Sequence, residues 1–284
     1  MEPKSQRTGL PLIVAAALIW STGGCFIKYI PLEPALIASS RAFIAGLTLL
    51  PFLRPSKLKA TWEVPALLAS YVVMSTCFVI ANKWTTAANA IAIQYTAPLW
   101  IFAASLAFGH LVLTWRRAAP MAVIAAGIVL FVLEPATGPS SFAGNMVALV
   151  SGVGFALVTI FFRRLRALHG PSLVCLCNLC TGVGAAPLVH DYSAIWGLTF
   201  AGWAALLFLG SIQIGVAYIL YAAGLQRVRP LRAATVSLIE PILNPLLVFL
   251  LLHEVPSHFG IAGAVAILVG IVMDLKLNAG EDVT

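Results

Sequence analysis

Charged residues are scarce in this sequence of 284 residues. Asp, Glu, Lys and Arg together make up only 10% of it, against 61% hydrophobic residues, and the mean hydropathy is +0.98. A water-soluble domain needs more polar surface than this composition provides. The scarcity of charge therefore predicts a chain that lies in a lipid bilayer.

Cysteine and metal-binding patterns are scarce as well. The five cysteines all lie inside long apolar runs. The CxxC pattern of Cys177 and Cys180 has neither histidine nor carboxylate nearby, which favours packing over zinc or redox chemistry. The sequence contains no GxxxxGK[ST] nucleotide loop and no histidine that is followed by a metal-binding partner three or four positions later. We therefore expect no metal, no cofactor and no catalytic residue.

What the sequence does contain is a series of ten apolar runs. Their lengths suit a hydrocarbon layer of roughly 30 Å, and short segments with proline or glycine separate them. The runs cover residues 10–30, 33–53, 63–83, 88–109, 118–133, 143–162, 171–189, 200–222, 233–252 and 258–275. They predict an all-α integral membrane protein with ten transmembrane helices.

The distribution of positive charge predicts how these helices are oriented. Lysine and arginine collect in cytoplasmic loops, and most of the 17 such residues fall there if the N-terminus is cytoplasmic. The exceptions are Lys28 and Lys83 at the outer face and Arg41 within the second run. Both termini are thus predicted to be cytoplasmic. The net charge of +7 is then explained by topology, and we expect no nucleic-acid partner.

The two halves of the sequence resemble each other. Residues 87–131 align without a gap with residues 230–274 at an offset of 143 positions, which pairs Pro98 with Pro241, and an offset of 135 pairs Trp20 with Phe155. Each half holds five runs, and an odd number means that the halves enter the membrane from opposite sides. Such inverted repeats let many secondary transporters expose one midplane site to either side in turn.

These repeats define the predicted domains. A cytoplasmic tail covers residues 1–9, the first five-helix repeat covers 10–133, and a periplasmic linker covers 134–142. The second repeat covers 143–276, and a second cytoplasmic tail covers 277–284.

Several motifs resemble a known family. Residues 221–228 read YAAGLQRV, and Ala233-Ala234, Glu240-Pro241 and LLHE at 251–254 follow. This pattern resembles the second repeat of EamA-type members of the drug/metabolite transporter superfamily, and Trp20-Ser21-Thr22 with the segment around Arg41 resembles the first. The chain departs from the family at 109–111, which lack the glutamate that often follows the fourth span. The short loops and ten spans also resemble bacterial exporters of aromatic and other bulky amino acids, of the YddG kind.

The resemblance implies a secondary transporter that exports small metabolites by alternating access across an inner membrane of the bacterial type. Amino acids, in particular aromatic and other bulky apolar ones, are the expected substrates. A broad-specificity drug or metabolite exporter is the alternative, and an integral-membrane enzyme or scaffold is an alternative of another class. The expected partners are a small-molecule substrate and the lipid bilayer, with the protein a monomer or a homodimer.

Two ionisable residues lie inside apolar runs. Burying such a side chain in a bilayer is unfavourable in free energy, so its presence there indicates a function. Glu240 shares one helical face with Ser237 and Asn244, beside a proline that removes a backbone donor. We expect Glu240 either to stabilise this broken helix by hydrogen bonding or to titrate during transport. Arg41 must reach water, a carboxylate or carbonyl groups, and a role between helices or at the membrane surface is favoured over substrate contact.

Polar and aromatic residues follow one face of the third run. Tyr71, Phe78 and Asn82 recur at helical spacing and Lys83 follows at the outer end, a surface that suits a flat apolar substrate with a carboxylate. Lys83 next to a tryptophan is equally typical of an interfacial anchor. The remaining substrate-binding candidates are polar or aromatic residues of other runs: Trp20, Ser21, Gln94, Tyr95, Trp100, Gln213, Tyr218, Tyr221 and Asn244.

Small residues interrupt the first run at Ser21, Thr22, Gly23 and Gly24, and the paired segment of the second half is bulkier. Close packing beside a central cavity is the favoured interpretation, because glycine lets helices approach. The alternative is a gate. The gating candidates are Gly23, Gly24, Pro98 and Pro241.

Overall fold

The computed structural model describes residues 4–57, 61–132, 142–252 and 258–278. Within these ranges the regular elements are helices, and no strand is present. Residues 134–141 of the predicted linker, residues 279–284 of the predicted C-terminal tail and residues 1–3 lie outside the described residues. The domain boundaries placed there remain predictions.

Fourteen α-helices form in the described ranges, and every predicted apolar run coincides with one or two of them. They are α1 Lys4–Trp20, α2 Gly23–Tyr29, α3 Pro34–Leu49, α4 Glu63–Trp84, α5 Ala87–Gln94, α6 Ala97–Ala107, α7 Trp115–Val132, α8 Phe142–Arg164, α9 Gly170–Ala185, α10 Phe200–Phe208, α11 Ala217–Leu225, α12 Pro230–Ser237, α13 Ile239–Leu252 and α14 His258–Leu277. A π-helical segment, Leu209–Val216, joins α10 to α11.

Seven stretches of the described chain are long and apolar enough to cross a membrane. They are Gly9–Tyr29, Pro34–Phe52, Glu63–Trp84, Asn89–Ala107, Phe142–Arg164, Gly170–Leu188 and Phe200–Leu225. The protein is therefore an all-helical, multi-pass membrane protein. Helices α7, α12 with α13, and α14 occupy the other three predicted runs, and the total of ten spans remains a prediction.

Two of the membrane segments are interrupted at matching sequence positions. Tyr95 lies in the gap between α5 and α6, and Leu238 separates α12 from α13. These two residues are 143 positions apart, the offset at which the halves of the sequence align. Pro98 and Pro241 follow three residues later, where a residue without a backbone N–H fits the first turn of a new helix.

Helices α7 and α14 pack against each other through reciprocal contacts. Gly127 of α7 lies against Ile267 of α14, and Gly270 of α14 lies against Ile124 of α7, so closely that an added Cβ would come within 2.8 and 2.6 Å of the isoleucine side chains. The glycines are 143 positions apart, and so are the isoleucines. Contacts that repeat with the partners exchanged are those of a two-fold axis.

Helices α3 and α9 repeat this arrangement at an offset of 136 positions. Gly46 lies against Leu179 and Gly182 lies against Phe43. The side chain of Ser39 donates a hydrogen bond of 2.8 Å to the carbonyl of Gly182. Cys175, 136 positions after that serine, directs its thiol to the carbonyl of Gly46 at 3.4 Å.

The remaining long contacts also join the two halves. Helix α4 packs along α8, and α1 packs along α11. The first membrane segment of each half thus contacts the third segment of the other half. Side chains from both halves consequently meet in the centre of the bundle.

Candidate functional site

A small cavity of about 30 Å³ lies where the two halves meet. This space has room for about two water molecules, so the structure describes the cavity in a closed form. We call it the central cavity. Its lining comes from both halves and consists of Trp20, Arg41, Met74, Ser75, Phe78, Gln94, Tyr95, Phe155, Gln213, Ile214, Tyr218 and Glu240.

Aromatic rings form one wall of the central cavity. The ring of Trp20 lies 4.7 Å from that of Tyr218 and 5.8 Å from that of Phe155, centroid to centroid. Tyr95 contacts Phe155 edge-on at 5.8 Å. Such tilted and edge-on pairs are favourable arrangements of aromatic rings. The wall therefore presents a rigid apolar surface to the space beside it.

Arg41 extends from α3 into the central cavity and is only 3% exposed. Its Nη2 donates to the hydroxyl of Ser75 at 3.1 Å and to the carbonyl of the same residue at 3.3 Å, and its guanidinium carbon lies 5.9 Å from the ring centre of Phe78. Its Nε and Nη1 have no acceptor among the described residues. A guanidinium stays charged, so these donors can bind an anionic group.

Glu240 lies two residues beyond the interruption between α12 and α13 and is 4% exposed. The hydroxyl of Tyr95, in the matching interruption of the other half, donates a hydrogen bond of 2.5 Å to its Oε2. No described lysine or arginine forms a salt bridge with this carboxylate. The cavity thus contains one buried base of the carboxylate type and one buried guanidinium.

Further polar atoms of the lining lack a partner in the described part of the chain. They are Nε1 of Trp20 and Oε1 of Gln213. In contrast, Gln94 is held by a hydrogen bond of 2.8 Å to Ser151. Folded proteins leave few buried polar atoms without a partner. A cluster of them around one cavity is therefore evidence for a polar ligand or water.

Five sequence candidates are buried beside the central cavity without lining it. Tyr71 donates to Asn178 at 3.4 Å, Tyr221 contacts the hydroxyl of Thr159 at 2.9 Å, Asn82 donates to the carbonyl of Phe78 at 2.9 Å, and Asn244 donates to the carbonyl of Ser21 at 2.9 Å. The hydroxyl of Ser21 itself donates to the carbonyl of Ala17. These side chains fix neighbouring helices to each other.

Lys83 and Trp100 lie away from the central cavity. Lys83 donates to the carbonyl of Ile30 at 2.7 Å at the end of the bundle, a position that matches the interfacial-anchor alternative. Trp100 is 41% exposed, and its indole N–H donates to Thr96. Neither side chain reaches the space between the two halves.

Gly23 and Gly24 lie where α2 approaches the second half most closely. A Cβ at Gly23 would come within 2.5 Å of Nε2 of Gln213, and one at Gly24 within 2.9 Å of Nδ2 of Asn244. A larger residue at either position would displace the Gln213 or Asn244 side chain, so the glycines allow close packing next to the cavity. Pro98 and Pro241 are buried at the starts of α6 and α13, just after the two helix interruptions.

Four lining residues were absent from the sequence candidates: Met74, Ser75, Phe155 and Ile214. The repeat itself could have identified Phe155, because the offset of 135 positions pairs it with Trp20. Met74 and Ser75 belong to the polar and aromatic face of the third run. Ile214 is one aliphatic residue among many, and no sequence signal distinguishes it.

The two ends of the bundle differ. At one end, Lys83 and Lys28 donate to the backbone carbonyls of Ile30 and Thr85, and Glu33 accepts hydrogen bonds from the backbone of the 190–191 loop. We call this the lysine end. At the other, which we call the arginine end, α8 ends at Arg164 and a larger cavity of about 1000 Å³ opens.

A multi-pass helical protein in which both halves of the chain line a small, polar and aromatic cavity has an architecture typical of a solute transporter. Comparison with known proteins gives the family. The EamA-like transporter family matches the chain twice, over residues 7–133 and 142–274. The chain belongs to this family and is a membrane transporter. The match confirms the resemblance to EamA-type transporters that the sequence motifs indicate, while the resemblance to exporters of the YddG kind remains a prediction.

Individual relatives agree with this assignment. An uncharacterised transporter of Archaeoglobus fulgidus is 24% identical over 95% of this chain and 97% of its own length. The uncharacterised transporter YwfM of Bacillus subtilis is 28% identical over 46% of this chain and 45% of its own. A crystal structure described only as that of a protein shares the fold, with a TM-score of 0.76 at 20% identity over 95% of this chain and 97% of the other.

Proposed function

We propose that this transporter is a secondary, alternating-access exporter of amino acids with aromatic or other bulky apolar side chains, in an inner membrane of the bacterial type. The observation that carries the proposal is the lining of the central cavity. Arg41, Glu240 and the aromatic wall surround one space. An α-amino acid has three parts, a carboxylate, an ammonium group and a side chain, which these three features complement.

The two charged residues suit the two charged ends of the substrate. Arg41 has donors without an acceptor among the described residues, and a guanidinium binds a carboxylate through strong, charge-assisted hydrogen bonds. Glu240 accepts a hydrogen bond from Tyr95 and has further acceptor capacity for an ammonium group. A ligand with both charges neutralises both residues without adding net charge to the membrane interior.

The aromatic wall suits the substrate side chain. Trp20 contacts both Phe155 and Tyr218, and these rings offer faces and edges for stacking. The closed cavity of about 30 Å³ is smaller than any amino acid, so the halves must separate to admit one. Entry of a substrate is thereby coupled to movement of the two halves.

The packing of the halves supports alternating access. The α3–α9 and α7–α14 contacts repeat with partners exchanged. Contacts of one kind are therefore available for the halves to separate at either end of the bundle. Helices interrupted near the membrane centre are typical of such transporters. The positive charges of the loops favour a cytoplasmic position for the arginine end, which is the side from which an exporter loads.

Counterflow in proteoliposomes tests the substrate class. Vesicles loaded with unlabelled amino acids should accumulate labelled phenylalanine or leucine. Phenethylamine lacks the carboxylate and N-acetylphenylalanine lacks the ammonium group, so each should exchange about tenfold more slowly, because a charged hydrogen bond is lost. Exchange of phenethylamine at the rate of phenylalanine favours the broad-specificity exporter. No exchange of any amino acid contradicts the proposal.

Glu240→Gln tests the ammonium site in the same assay. The variant should lose most of its discrimination between phenylalanine and N-acetylphenylalanine, whereas Glu63→Gln at the start of α4 should keep it. A role limited to holding the broken helix predicts lower stability with unchanged discrimination. Full transport with an unchanged pH dependence excludes both substrate binding and proton coupling at this residue.

A further inference from the structure

The cavity at the arginine end is distinct from the central cavity. No described residue lines both of them. Helix α12 packs against α6 and α8, and these contacts separate the two spaces. At about 1000 Å³ the end cavity is at the upper limit of small-molecule sites. It is far larger than an amino acid requires.

The walls of the end cavity are apolar and lie on two helix faces. One stripe of lining residues on α8 consists of Leu157, Ile160, Phe161 and Arg164, and a second consists of Ile101, Ala104 and Ser105 of α6 with Phe108 just after its end. Both sets follow the spacing of one helical stripe. Leu157 is 40% exposed and Phe108 is 75% exposed. The groove between these helices is therefore open to the surroundings and not sealed in the protein interior.

The rim of the end cavity is strongly basic. Arg117, Arg163, Arg164, Arg229 and Arg232 line it, and Asp274 is the acidic residue among its described lining. Five arginines against one aspartate leave a large excess of positive charge. Arg164 is exposed at the end of α8, where a membrane helix meets the headgroup layer. The cavity thus combines a cationic rim with an apolar groove.

The dimensions match a lipid that stands in one leaflet. Leu157 and Arg164 lie seven residues apart on α8, which corresponds to about 10 Å along the helix. An acyl chain can follow the apolar stripe while its phosphate remains at the arginines. Basic pockets between membrane helices on the cytoplasmic side are suited to anionic headgroups, and arginine binds phosphate in a planar, multidentate geometry.

We propose that the end cavity is a binding site for an anionic phospholipid of the cytoplasmic leaflet, with its phosphate at the arginine rim and one acyl chain in the groove between α6 and α8. A soluble anion would use the rim alone and leave the groove empty. Residues of α6, α7, α8, α12 and α14 line the cavity, so a bound lipid would contact helices of both halves of the chain.

Native mass spectrometry of the purified full-length protein tests this site without any transport assay. Phosphatidylglycerol should remain bound at concentrations where phosphatidylcholine with the same chains does not. Arg164→Gln should reduce retention about fivefold, and Arg166→Gln, an exposed arginine two residues away that does not line the cavity, should leave it unchanged. Glycerol phosphate at millimolar concentration should not displace the lipid.

Three outcomes overturn the proposal. Equal retention of the two lipids removes the headgroup specificity. An equal loss in Arg164→Gln and Arg166→Gln shows general charge attraction in place of a site. Displacement by glycerol phosphate identifies a site for soluble anions. Circular dichroism of each variant verifies the fold, and Leu157→Ser provides a second variant that should weaken lipid retention without changing the charge of the rim.

Discussion

The two halves of the chain match in how their helices pack and differ in the chemistry that they bring to the centre. The contacts between α7 and α14 and between α3 and α9 repeat with partners exchanged. The charged groups of the central cavity do not repeat: 136 positions after Arg41 stands Cys177, and 143 positions before Glu240 stands Ala97. A fully symmetric cavity would place like charges opposite each other, which is unfavourable in a low dielectric. The repeated helix contacts suit the proposed movement of the two halves. The unequal lining, with Arg41 from one half and Glu240 from the other, suits the proposed ligand with two opposite charges.

The largest expected effect is on the transport rate, when the charged residue found in only one half, Arg41, is replaced. Arg41→Gln removes the guanidinium proposed to bind the substrate carboxylate, and the loss of one partner of a buried charged interaction costs about 2 kcal/mol or more. Counterflow of phenylalanine at low concentration should fall at least about thirtyfold, because roughly 1.4 kcal/mol corresponds to a factor of ten in affinity. Cys177→Ala, at the equivalent position of the second half, should stay close to the wild-type rate. Equal rates in the two variants would remove the role assigned to Arg41.

The next effect tests the symmetry of packing. Gly127→Leu and Gly270→Leu each place a side chain where the opposite helix already lies within 3 Å of a Cβ. Such overpacking costs about 1–3 kcal/mol, and the two variants should lower the midpoint of thermal unfolding in detergent by similar amounts. Gly197→Leu provides the control, because a Cβ there has nothing within 4 Å. A large effect in one variant and none in the other would show that the contacts are not equivalent.

The smallest effect concerns the residues that precede α3 and α9. Glu33 and His169 are their N-caps, 136 positions apart, and Glu33 accepts hydrogen bonds from the backbone of the other half. Burial raises the pKa of Glu33, and hydrogen bonds from the backbone of His190 and Asp191 and from the ring of His190 outweigh it, so that the pKa lies below the ordinary value.

The sign of the resulting pH dependence follows from this shift. A carboxylate with a lowered pKa in the folded protein stabilises it above the ordinary glutamate pKa, and this contribution is lost as the pH falls through the folded value. The wild type should therefore be slightly more stable than Glu33→Gln at neutral pH and equal to it in strong acid. The comparison of unfolding midpoints against pH checks this. A difference that persists in acid contradicts the assignment.

The helices could be predicted from the sequence because a bilayer imposes a simple pattern. Apolar runs must satisfy their backbone groups internally, and every predicted run is helical. The interruptions at Tyr95 and Leu238 were signalled only indirectly by the prolines that follow. The π-helical segment Leu209–Val216 has no sequence signal of its own, since its residues would suit an ordinary helix equally well.

The site was predicted in part, for reasons that the individual residues show. Arg41 and Glu240 are costly in a membrane, so their presence indicated function, although contact with the substrate was not the favoured interpretation of Arg41. Tyr71 and Asn244 are on suitable helix faces but bind neighbouring helices. Helical periodicity predicts which face is buried but not which neighbour a polar atom meets. Trp100 is amphipathic, and the sequence does not distinguish a cavity from a lipid surface for such a side chain.

The hydrogen bond between Tyr95 and Glu240 occupies part of the site proposed for the substrate ammonium group. In the closed cavity the tyrosine hydroxyl occupies Oε2 of Glu240, an oxygen that an arriving ammonium group would claim. Under the proposed function, an ammonium group that binds Oε2 displaces this phenol on entry, and the phenol binds again as the substrate leaves. Such an exchange lowers the net affinity, which suits a carrier better than a storage protein.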